Sequence, residues 1–171
     1  MTRLQFIDTI DPEFKTELFE VKSLEDEIRV DHLCSDFLKH FYRYLVEEKK
    51  IQPEEAGSMA YGADYFLKEF IIPDRRENIF LISANRVRQF AGNWYIVKNL
   101  EPNMAELTAI LQGVEQFYKF CQCLGKVSTE LTNSISRECQ NLAFYAERIE
   151  AFWDISGDGY NAWDQACSLR D

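Results

Sequence analysis

An all-α domain of five to six helices is what this sequence predicts, and three observations carry that expectation. Apolar residues recur at steps of three and four through several long stretches. The 171 residues hold 13 Phe against only 7 Gly and 4 Pro, a balance that suits long helices with large interlocking side chains and few tight turns. Helix-start residues stand directly in front of the periodic stretches: Ser23, Asn103 with Glu106 three residues on, and Ser128 or Thr129.

Taken in order, residues 1–22 alternate acids and aromatics without sustained periodicity and read as a loose arm. Residues 23–171 read as one domain. Its first hairpin covers 23–72, opening with a helix from Ser23 to about Lys50. The apolar stripe there is Val30, Leu33, Cys34, Phe37, Phe41, Tyr44 and Leu45. Pro53 suits the first turn of the next helix, which is expected to end before Pro73, and Gly57 and Gly62 weaken it or allow a close helix approach.

The connector spans 73–102. "PDRRENIFLI" breaks the pattern and reads as a short extended piece, followed by a helix over "ANRVRQFAGNWYIV" capped by Ser83. The second hairpin covers 103–155, with Leu107, Leu111, Val114, Tyr118 and Cys121 leading to a stop at Gly125. A last long helix then carries Leu131, Ile135, Leu142, Ile149 and Phe152 on one face. A short helix over 160–169 closes the domain. "FYRYLVEEKKI" from Phe41 also matches "FYKFCQCLGKV" from Phe117 at an offset of 76 residues, as two pseudo-symmetric hairpins would.

"FLKHFYRYLVEEKKIQPE" and "ILQGVEQFYKFCQCLGKVSTE" resemble helix-ending stretches of the core-binding helical domain of tyrosine recombinases and phage integrases. The resemblance covers two stretches of roughly twenty residues. It implies a small helical bundle that clamps DNA. No counterpart of the family's catalytic domain follows, and "HFYR" (His40 to Arg43) mimics its His-x-x-Arg box on an N-terminal helix without the partners that box needs.

Charge argues against nucleic acid as the main partner. The net charge is −10, and only residues 56–102, with five acids and six bases, are not acidic. Within them Arg75, Arg76, Arg86, Arg88 and Lys98 surround Trp94, the candidate surface for phosphates and stacked bases; the surplus of acids favours internal ion pairs for these arginines. A calcium candidate lies in "DISGDGYNAWDQ". Asp154, Ser156 and Asp158 fall at alternate positions, Tyr160 could offer its carbonyl, and Gln165 stands where a bidentate acid should close the cage. That neutral closing residue makes an Asp/Gly-rich helix-ending turn the better reading.

His32, Asp36 and His40 share the spacing of a metal site, but His32 projects opposite the apolar stripe, so a solvated face is expected. Five cysteines form no disulfide pattern, and the chain has no signal-peptide core and no apolar run long enough for a bilayer. Buried thiols in a reducing cytoplasm follow as expectations. No nucleophile motif or phosphate loop is present, so the expected function is a non-enzymatic interaction or regulatory module with a protein partner or a second copy. A nucleic-acid-associated domain and a weak calcium binder are the alternatives.

Overall fold

Residues 13–170 are described by the computed structural model, and among them every regular element is helical. Helix α1 (Leu24–Glu47) starts where Ser23 accepts a hydrogen bond from the Asp26 N–H at 3.1 Å, with Glu25, Asp26 and Glu27 against the positive end of its dipole. Helix α2 begins at Pro53–Tyr65 and runs on as wide π-type turns through Phe66–Arg75. It therefore passes Pro73 instead of ending before it. In a regular α-helix the proline ring meets the carbonyl four residues back, and the wider turn displaces that carbonyl. Arg76, left-handed at φ 53°, ends the helix, and the Glu77 N–H returns to the Ile71 carbonyl.

Helix α3 runs from Asn85–Gln89 through π-type turns at Phe90–Trp94 to Tyr95–Lys98. Ser83 gives it no side-chain cap, since Ala84 holds the cap position. The connector before it forms a tight turn at Asn78–Leu81 and no strand. Helix α4 (Met104–Cys123) is capped by Asn103, whose Oδ1 accepts the Glu106 N–H at 2.8 Å. Glu106 does not reach back to close the expected capping box. The Tyr95 hydroxyl stands between, taking the Asn103 N–H at 3.2 Å and donating to Glu106 Oε1 at 2.8 Å. Asn103→Ala is expected to cost about 1 kcal/mol, read as a fall of roughly 2–4 °C in the thermal midpoint; no change would mean that Tyr95 alone holds this helix start.

Helices α5 (Thr129–Cys139) and α6 (Leu142–Trp153) replace the single long helix expected here, and α7 (Tyr160–Gln165) follows. The break falls at Gln140–Asn141. The Tyr145 hydroxyl donates at 2.6 Å to the carbonyl of Glu138, in the last turn of α5, satisfying an acceptor a continuous helix would have used.

Helix α2 lies between α1 and α4. Gly62 and Gly113 make the second contact possible: a Cβ on Gly62 would stand 2.8 Å from the Ile110 backbone, and one on Gly113 only 2.2 Å from the Met59 carbonyl oxygen. Helices α1 and α4 meet through aromatic rings, Phe41 against Phe117 at 5.5 Å and Tyr44 against Phe120 at 4.9 Å. These pairs are the matched positions of the 76-residue similarity, so the two related stretches pack on each other.

Part of the arm expected at 1–22 is docked. Residues 1–12 lie outside the described residues, but Phe14, Phe19 and Val21 are buried, and Arg29 donates to the Leu18 carbonyl. Among the described residues, no helix is long and apolar enough to cross a membrane.

Candidate functional site

The arginines of residues 75–98 are spent largely inside the chain. Arg75 pairs with Asp74 at 2.9 Å, donates to the Leu169 carbonyl and lies over the Phe70 ring. Arg86 pairs with Glu77 and donates to Gln89 at 2.7 Å, while the Arg88 guanidinium covers the Phe144 ring at 4.1 Å. Arg76 is half-exposed and pairs with Glu27 at 3.3 Å, and Lys98 is exposed at the end of α3. Trp94 is buried against Phe70 and Phe90, so its face is already stacked.

In the acidic loop, Asp154 ends α6, Gly157 is left-handed at φ 59°, and the Gly159 N–H donates to the Ser156 carbonyl at 3.2 Å. Asp158 and Ser156 are exposed. Tyr160 and Gln165 are the first and last residues of α7, so the second half of the stretch is a helix instead of a wrapped loop. Asp164, one position before Gln165, turns inward and accepts from Asn93 at 2.8 Å. Among the described residues, no group of three or more His, Cys, Asp or Glu is placed to hold a metal ion.

His32 is exposed, Asp36 pairs with Lys39, and His40 packs edge-on to Phe14 at 5.4 Å, where burial pushes its imidazole below the ordinary value. The five thiols are free. Burial raises those of Cys34, Cys121 and Cys139, which keeps them protonated at neutral pH.

One outward surface is organised as a second stripe. Beside the core stripe of α1 runs another line, Leu24, Ile28, Asp31, Ser35, Leu38 and Tyr42, again at steps of four and three. It faces Tyr61, Asp64, Lys68 and Ile72 of α2. Lys68 clamps the seam, donating to Ser35 Oγ at 2.7 Å and lying 3.5 Å from Asp31 and 3.6 Å from Asp64. Burial opposes its charge, the two carboxylates more than offset that, and its pKa is raised. A groove of about 210 Å³ lies on one side of the clamp, floored by Ile72 and Pro73 and flanked by Leu24 and Ile28. On the other side a shallower groove of about 510 Å³ is lined by Leu38, Tyr42, Ala60 and Tyr61. Leu24, Ile28 and Tyr61, all lining these two grooves, are 64 %, 55 % and 63 % exposed.

No protein-family model, curated protein or solved structure matches the chain.

A second constellation escaped the sequence reading because it is buried. Gln89, Asn93 and Arg148 are 1 %, 1 % and 6 % exposed, and each reaches a main-chain carbonyl far away in sequence. Gln89 donates to Ser168 at 3.0 Å, Asn93 to Cys167 at 2.9 Å, and Arg148 to Gly92 at 2.8 Å. The π-type turns of α3 lie at the centre of this network. The one available signal was the placing of Asn93 inside the apolar run "FAGNWYI".

Proposed function

We propose that the chain is a helical interaction module that receives a basic amphipathic helix of a protein partner on the outer face of α1 and α2. The observation that carries this reading is the second stripe, interrupted by a charged clamp, with Leu24 and Ile28 exposed at one end and Tyr61 of α2 exposed beside the other, next to two grooves. A helix laid along such a face seats its side chains at steps of three and four. Charge selects the kind of helix at the groove over Ile72 and Pro73: residues 20–36 hold six acids and two bases, so basic flanks complement that rim, whereas Lys39 and Arg43 beside Asp64 leave the other groove without an acidic surplus. A reducing cytoplasm is part of the proposal, supported by five free cysteines.

The test uses an eighteen-residue Leu/Lys amphipathic helix, its Leu/Glu counterpart and a short DNA duplex, each titrated by fluorescence anisotropy. Ile28→Gln and Leu24→Gln remove apolar surface and leave the charge unchanged. The proposal expects saturable binding of the Leu/Lys helix, weakened at least tenfold by the double substitution, and none of the Leu/Glu helix. Equal binding to wild type and double variant would reduce the interaction to charge alone and reject the groove. Preferential binding of the duplex, falling steeply with salt, would favour the nucleic-acid reading instead.

A further inference from the structure

Residues 160–169 lie in a seat built mainly by α2, α3 and α6, and the way they are held differs from ordinary core packing. Three successive main-chain carbonyls are each taken by a side chain: Cys167 by Asn93, Ser168 by Gln89 and Leu169 by Arg75. Such contacts read a backbone and tolerate any sequence. Selectivity comes from three further places. Trp163 lies on the Arg148 guanidinium at 3.9 Å, Asp164 takes the other Asn93 amide hydrogen, and Cys167 fits where Gly92 has no side chain, a Cβ there falling 2.9 Å from its sulfur.

The occupant, though Trp163 also donates from its indole to the Arg148 carbonyl at 2.9 Å, is incompletely matched and short. Arg148 Nη2 is buried without a hydrogen-bond partner, so this segment leaves a charged donor unanswered. Helix α7 has six residues, too short to be stable on its own, and its tether Asp154–Gly159 is mostly exposed.

We propose that residues 160–169 are a detachable occupant of a peptide-binding seat, which takes in their place an acidic segment of a partner protein. The matching segment has an aromatic residue followed directly by Asp, and a small residue three positions after that Asp, as Trp163, Asp164 and Cys167 display. A further carboxylate reaching Arg148 makes the partner segment the better ligand, and the tether keeps the displaced residues at hand to close the seat again. This seat is distinct from the outer face of α1 and α2, and either can fail alone.

Two measurements on the full chain decide it. Thiol labelling of the wild-type protein in increasing urea, with each cysteine followed by mass spectrometry, is expected to show Cys167 reacting at least tenfold faster than Cys34 and Cys121, with little dependence on urea. Reaction of Cys167 at the rate and urea slope of the core thiols would mean that the segment leaves only on global unfolding, and would overturn the proposal. A labelled peptide of residues 157–171 is then titrated onto wild type, Trp163→Ala, and Trp163→Ala with Arg148→Met. Trp163→Ala, its own segment loosened, is expected to bind at least tenfold more tightly than wild type, and the double variant to lose that gain. Absence of binding to a folded Trp163→Ala, or binding indifferent to Arg148, overturns it equally. If Trp163→Ala does not fold, the labelling result stands as the decision.

Discussion

Phe37→Ala is expected to lower the free energy of unfolding by about 3–5 kcal/mol, which for a chain of this size is a fall of roughly 6–20 °C in the thermal midpoint. Phe37 is fully buried on α1, and its ring meets Phe14 at 5.2 Å, Phe19 at 6.0 Å, Phe80 at 5.5 Å, Phe117 at 5.8 Å and Phe120 at 5.4 Å. Those five neighbours come from the docked stretch before α1, the turn before α3, and α4. Removing the ring leaves a cavity that rigid aromatic walls fill poorly, so the cost sits near the top of the usual range. Phe37→Leu, which keeps most of the volume, is expected to lose about half as much. Urea unfolding followed by circular dichroism measures both. A loss below about 1 kcal/mol for the alanine variant would contradict this packing.

Gly113→Ala is expected to cost about 3 kcal/mol even though alanine is the better helix former. The added Cβ would stand 2.2 Å from the Met59 carbonyl oxygen and 3.1 Å from the Ala63 nitrogen, both of them backbone atoms of α2. A flexible side chain could yield, but here two helices would have to separate and loosen the core on both sides of the contact. Gly57, on the same α2, supplies the opposite sign. Its Cβ would meet nothing within 4 Å, so Gly57→Ala is expected to stabilise by roughly 0.5–1 kcal/mol. Thermal and urea unfolding of the two variants checks the contrast. If both gained stability, α2 and α4 would not approach as described.

The elements that the sequence made legible are those governed by short-range physics. Ser23, Asn103 and Ser128 each cap the helix they precede, because the bond from cap oxygen to N–H spans three residues and needs nothing from elsewhere. Gly125, at φ 72°, stops α4 because a left-handed residue costs glycine nothing. The core stripe of α1 was readable for the same reason, since a helix shows its burial through a fixed period.

Where the expectation departed from the structure, a distant partner had intervened. Apolar spacing continues from Ile135 and Cys139 to Leu142 and Ile149, so the period does not mark the break at Gln140–Asn141, and Asn141 stands at the cap position there without a side-chain cap bond. The Tyr145 hydroxyl on the Glu138 carbonyl belongs to the bent geometry alone. Arg75, Arg86 and Arg88, for which the surplus of acids favoured ion pairs over a nucleic-acid surface, are met in the fold by the Leu169 carbonyl, Glu77 and the Phe144 ring, and no local pattern names those three partners.

The acidic stretch before α7 shows the division most clearly. Local chemistry determined that Asp154 to Gly159 turn the chain, through glycines and short polar side chains. Only the tertiary structure decided what the turn is for. It returns residues 160–169 to α3, where Asn93 lies 71 residues from Asp164 and 74 from Cys167. Helix caps and stripes are set by neighbours along the chain, whereas a buried amide finds its partner only after the core has formed around it.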